Sequence, residues 1–212
     1  MKKILILFIF TFAFACAGCG DVNPDYISEV TKIYFAGQNE NISVSIATGK
    51  REEPYIMDGI HGNMVDFSLV TLKCENNLAS DEISAEIEVN GTAQTYILQL
   101  NPLDFTYMCD MGIALNKEDV LIFKYSGHKI NLAPICDEFE VGFEEAIKMG
   151  ESKIEGYANI SKSGGYEGYL KIIDGEKFGG EGLYWIYTIL QEDGHSQNVL
   201  ISVYDKNIVF CG

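Results

Sequence analysis

The side chains of this chain that could ligate a metal, exchange a disulfide or carry a proton are its cysteines, histidines and clustered carboxylates, and their spacing decides which chemistry is open to them. Cys16 and Cys19 form a C-x-x-C pair. That spacing suits a redox dithiol or half a zinc site, but both need a folded scaffold with partner residues, and this pair lies where a long apolar run ends. His61, His128 and His195 fall in a loop, beside one hairpin turn and within another, with no helical or strand spacing that would aim two at one ion. They read as surface loop residues. The densest carboxylates are Asp137, Glu138, Glu140, Glu144 and Glu145. A glycosidase needs two acids facing each other across a cleft, one with a raised pKa, whereas these lie at an expected helix start, where the dipole favours the ionised form. The G-x-S-x-G elbow, the P-loop, H-E-x-x-H and the calcium-loop pattern have no counterpart. Binding without catalysis, cofactor or metal is the expectation; a hydrolase with an unrecognised site is the least favoured alternative.

The stretch around Cys19 has another meaning. Lys2 and Lys3 precede an apolar run from Ile4 to Phe14 broken only by Thr11, and small residues Ala15, Ala17 and Gly18 lead to Cys19. This is the plan of a secretory signal. About eleven residues at about 1.5 Å each cover roughly half a bilayer's hydrocarbon core, too short to remain as a span. Cys16-Ala17-Gly18-Cys19 resembles the lipobox of bacterial lipoprotein precursors, with Cys16 where the family has Leu. The resemblance implies cleavage before Cys19, lipid on its thiol, and a chain held on the extracytoplasmic face of a cell membrane by fatty chains. Two or more such chains hold stably where one does not.

Loss of residues 1–18 would move the formal charge from −16 to −18. Acid spread evenly along a chain keeps it soluble and repels phosphate backbones, which argues against nucleic acid and anionic head groups and leaves basic peptides, calcium or cationic wall components as conceivable partners. Cys74, Cys109, Cys136 and Cys211 are even in number, as two disulfides require outside the cytoplasm. The expected pairs are Cys74 with Cys109 and Cys136 with Cys211; reduced, buried thiols are the alternative.

The elements expected to position these groups fall into two parts after a tether at 19–28. Residues 29–135 read as an all-β sandwich of immunoglobulin-like architecture. ISVSIAT alternates as a half-buried strand, and MVDFSLVTLKC is apolar on both faces, as in a central strand. Asn90-Gly91 supplies a type I′ turn, pairing Val89 with Thr92, Ile87 with Gln94, Ala85 with Tyr96 and Ile83 with Leu98. VLIFKY and HKINLAP flank a second hairpin turn at Ser126-Gly127.

Residues 136–212 read as a small α+β module of one helix on a three- to four-stranded antiparallel sheet, making the whole chain α+β. Asp137 and Glu140 suggest a capping box, with Phe139, Phe143, Ala146, Ile147, Gly150 and Ile154 along one helix face and Gly156 at its end. Strands follow near 166–173, 183–190, 197–204 and 208–211, with Asp193-Gly194 as a hairpin turn and the 183–190 strand central. The segment YWIYTILQEDGHSQNVLISVYDKNIV resembles the end of PepSY-type modules of bacterial envelope proteins, which implies inhibition or modulation of a protease. The leading expectation is an interaction or sensing lipoprotein contacting an envelope protein or peptide. Two connectors could carry the contact: residues 49–63, with Lys50, Arg51 and Tyr55, and residues 161–169, with Tyr166 and Tyr169 among glycines.

Overall fold

The computed structural model describes residues 26–75 and 80–211. The proposed leader and Cys19 lie outside that range.

Twelve strands form one sheet. Eight of them close on themselves: β1 (Ile27–Gln38), β2 (Ile42–Glu53), β3 (Asn63–Cys74), β6 (Thr106–Asp110), β5 (Thr92–Asn101), β4 (Glu82–Val89), β7 (Leu121–Tyr125) and β8 (His128–Pro134), with β8 returning to β1. Every pair in the ring is antiparallel, and the closing pair sets Phe35 against Pro134 and Ala36 against Ala133. The expected sandwich is therefore a barrel. Strands with one buried face serve either architecture; stacking or closure is decided by the pairing of β1 with β8, nearly a hundred residues apart in sequence. The barrel is solid, its interior filled by Phe35, Ile46, Val70, Leu72, Ile87, Leu98 and Phe123, all fully buried.

Closure was hidden because β1 carries no clean alternation. Its register shifts between Thr31 and Ile33, and such a bulge exchanges the faces of the residues on either side of it. Val30 belongs to one core and Phe35 to another. Gly49 crosses β1 at this point, and a β-carbon there would overlap the Val30 carbonyl.

The second expected unit is not a separate module. β9 (Tyr166–Asp174) pairs in parallel with the first residues of β1, Ile27 with Gly168 and Val30 with Leu170. β10 (Leu183–Gln191), β11 (Ser196–Ser202) and β12 (Ile208–Cys211) continue the same sheet. Two α-helices, α1 (Phe143–Lys153) and α2 (Tyr157–Ser163), stand in place of the single one expected. Ala146, Ile147 and Gly150 of α1 are buried as the stripe requires, in a core with Ile27, Val30, Leu170, Trp185, Tyr187 and Ile201. The capping box does not form: Gly142 is the N-cap, while Asp137 lies in a 3-10 turn and pairs with Lys117 at 3.1 Å. Gly156, with φ of 71°, introduces α2 after α1 has already ended.

The hairpins are as expected. The register of β4 on β5 matches at all four expected pairs, with Asn90 and Gly91 at positive φ. Ser126-Gly127 turns β7 into β8, and β10 is flanked by β9 and β11 with its Trp185, Tyr187 and Ile189 face buried.

Candidate functional site: a groove on the outer sheet face

On the outside of β1, β2, β3 and β6 the side chains are small or hydroxylated. Across neighbouring strands Ala36 faces Ser45, Ser45 faces Thr71 and Thr71 faces Met108; one step along, Tyr34 faces Ala47 and Ala47 faces Leu69. Short side chains make a low floor. Lys171 and Ile173 of β9, the turn after it, and Tyr204 rise on the other side, leaving a groove of about 1150 Å³. It runs along β2 from Arg51 to Ser43, nine residues whose eight steps cover about 27 Å at the rise of a strand.

Contacts across the groove brace both ends. At one, Lys171 Nζ lies 3.2 Å from Glu29 Oε2 and donates to the Tyr55 hydroxyl at 2.6 Å, while its charge sits over the rings of Tyr55 and Tyr169. Arg51 pairs with Asp110 and lies against the rings of Tyr55 and Phe67. At the other end Lys73 reaches Glu176 in the turn after β9. Four carboxylates and three cations line the groove, and each cation is already matched: Arg51 by Asp110, Lys73 by Glu176 and Lys171 by Glu29. Acid is left over. Thr31, Tyr34, Ser43, Ser45, Thr71 and Thr106 add hydroxyls that can donate and accept.

Behind the Glu29 end lies a buried polar cluster. Glu167 is fully buried on β9, where its carboxylate accepts from Tyr169, from Ser28 Oγ at 3.3 Å and from the Gly59 amide. Desolvation, with the charges of Glu52 and Asp58, lifts its pKa to about 7. Glu52, 2% exposed, accepts from the Gly62 amide through Oε2 and leaves Oε1 without a hydrogen bond. His61 Nδ1 is 3.3 Å from Ser28 Oγ. Serine, histidine and carboxylate thus meet, but in the wrong order for a nucleophile: the hydroxyl sits between the other two, and no acid among the described residues stands behind the imidazole to orient it. Ser28 is fully buried besides. The cluster pins the 54–62 loop to the start of β1.

No family model, curated protein or solved structure matches the chain.

The other expected site residues are dispersed. His128 contacts Asn39, and His195 stands beside Asp193; no group of three or more potential metal ligands occurs among the described residues. Cys74, Cys109 and Cys136 are free thiols. Val70 is the residue opposite Cys109, so Cys74 is four residues further along β3, about 13 Å away and beyond disulfide reach. Cys211 lies on β12; its side chain is outside the described set. The 49–63 connector is shorter than expected, since β2 runs on to Glu53, and Arg51 acts from the strand and not from a loop. Tyr166 and Tyr169, expected to be presented among glycines, are buried core residues. The groove itself was missed. Its signal was the run of small residues on alternate positions of β2, Ser43, Ser45 and Ala47, legible as an outward face but not as a concavity until Tyr204 and β9 are placed beside it. No helix among the described residues is long and apolar enough to cross a membrane.

Proposed function

We propose that this protein is a lipid-anchored, extracytoplasmic binding protein that takes an extended, basic segment of an envelope protein into the groove. The carrying observation is the groove: about 27 Å long, floored by small and hydroxylated side chains and braced at both ends. A floor of hydroxyls offers donors and acceptors to a peptide backbone lying along the strands, and the net acid charge of the lining, on a chain of formal charge −16, favours lysine and arginine in the partner. Lipid on Cys19 would set this surface at the membrane, where such partners are displayed. The role is capture, with no bond made or broken.

The test fills the floor. Ala47 is in the middle of the groove, between Tyr34 and Leu69, so Ala47→Trp occupies the path of any ligand without touching the barrel interior. Binding of lysine-rich decapeptides, measured by calorimetry against aspartate-rich decapeptides of the same length, should favour the basic set in the wild type and weaken at least roughly tenfold in the variant. Equal binding of both sets, or an unaffected variant with an unchanged circular dichroism spectrum, would sink the proposal.

A further inference from the structure

The loop between β2 and β3 carries four large apolar side chains in water: Tyr55, 38% exposed, Ile56, 51%, Met57, 52%, and Ile60, 62%. Four such residues within six positions form a patch rather than scattered exposure. The place of this loop in the fold indicates what would cover it. β1 and β9 run in parallel, so both begin at the same end of the sheet, and β2 ends and β3 begins there as well. The turn from β10 to β11 closes at this end too, with Gly59 seated against the backbone of Gln191 and Glu192. His61 at the loop's far side touches Ser28, the second residue of β1. The loop is thus tied to the point where the chain from Cys19 joins the sheet.

Tyr26 marks that entry. Its carbonyl accepts from the Gly168 amide at 2.8 Å, and its hydroxyl bonds Glu151 of α1. Six residues lie between Cys19 and Tyr26, and their seven steps span at most about 25 Å when fully extended. A lipid on Cys19 therefore holds this end of the molecule next to the bilayer. The opposite end has its own apolar tip, Leu103 and Phe105, 90% and 57% exposed. It stands where β6 begins opposite the end of β3, a whole strand length from the tether.

We infer that the Tyr55–Ile60 loop is a membrane-contacting surface, inserting Ile56, Met57 and Ile60 into the head-group and acyl boundary and fixing the orientation of the anchored protein. This rests on the reading of Cys19 as lipidated. The occupant is lipid of low surface charge: Glu53 precedes the loop, Asp58 lies in it and the backbone of Glu192 packs against its Gly59, and acid of that density repels anionic head groups. Insertion is apolar in origin, as for an interfacial anchor lacking its basic face. In that orientation Tyr55, which bridges to Lys171, lies at the membrane end of the groove, and the Lys73 end is held out toward the partner.

The experiment uses the full lipidated protein, purified from a bacterial membrane and placed in phosphatidylcholine vesicles, with Met57→Trp and, as the far-end control, Leu103→Trp. The native Trp185 is 1% exposed and donates to the Val141 carbonyl, so it gives a constant background. The Met57→Trp signal should shift to the blue and be quenched by brominated acyl chains; the Leu103→Trp signal should do neither. Quenching should fall at least roughly tenfold on adding Ile56→Ser and Ile60→Ser, and should be weaker in vesicles rich in phosphatidylglycerol. An anchored protein, its lipid verified by intact mass, whose Met57→Trp signal is unmoved or no stronger than the Leu103→Trp signal overturns the loop inference and leaves the anchor reading standing. A blue shift that needs added envelope protein overturns it in favour of a protein partner. A mass without lipid overturns both.

Discussion

A carboxyl group enclosed by a serine, a tyrosine and a second carboxylate loses more by ionising than one in water. Glu167 is in that position, and burial, with the neighbouring Glu52, raises its pKa to about 7. Its ordinary value is 4.5, so between about 4.5 and 7 the folded chain binds more protons at this site than the unfolded chain does. Stability from Glu167 is therefore fully present below about 4.5 and falls as pH rises through 7. The loss is on the order of 3 kcal/mol. Glu167→Gln keeps the shape and removes the titration, and Ser28 can reverse its hydroxyl to accept from the new amide. Urea unfolding of the two proteins at pH 5 and pH 8 should show the variant gaining on the wild type by about 2–3 kcal/mol at the higher pH. An equal difference at both pH values would mean that Glu167 is ionised in the fold throughout. Nothing in Gly-Tyr-Glu-Gly-Tyr announces a buried acid in the sequence. Only the tyrosines stand out there, and what buries the acid, Ser28 and the 54–62 loop, is over a hundred residues away.

Local chemistry specified the elements well wherever a turn decided the outcome. Asn90-Gly91 and Ser126-Gly127 each turn through two positions at positive φ, and Asp193-Gly194 through one, at Gly194; glycine takes that conformation without steric cost, so each dipeptide marks a turn and the strands it joins. Elements decided by distant packing were less legible. The helix start at Asp137 failed because Glu140 and Val141 are committed elsewhere: both amides donate to the Val203 carbonyl, which holds the chain extended until Gly142. Within α1, Gly150 looks like a weak point, since alanine would favour the helix by about 1 kcal/mol. Yet a β-carbon there would overlap the ring of Tyr187, which is fully buried and has nowhere to move. Overpacking costs about 1–3 kcal/mol and exceeds the helical gain. Gly150→Ala should therefore destabilise, by up to about 2 kcal/mol, lowering the melting temperature by up to about 8 °C. A higher melting temperature would show that α1 rides loosely on β10.

Across the whole molecule, the division read from the sequence between residues 135 and 136 is real in pattern, with both α-helices on its far side, and absent in the sheet. Two cores exist, one inside the barrel and one under α1 and α2, but a single strand serves both: Ile27 and Val30 in the second, Phe35 in the first. Local pattern cannot reveal that arrangement, because β1 is the first described strand and its parallel partner β9 begins 139 residues after β1 does. The shared strand couples the two cores. Releasing β9 from β1 bares Ile27 and Val30, both fully buried, and frees the bulged segment that sets the register of β1 on β2. The two halves should therefore unfold together. Trp185 reports the helical core, and Cys109, packed against the barrel core, reports the other through pulse alkylation read by mass spectrometry. The two midpoints in urea should coincide. Ile27→Ala, a truncation in the helical core alone, should cost about 2–4 kcal/mol and move both midpoints by the same amount. If the Trp185 midpoint moves while alkylation of Cys109 stays where it was, the barrel stands without its extension and the strand they share transmits nothing.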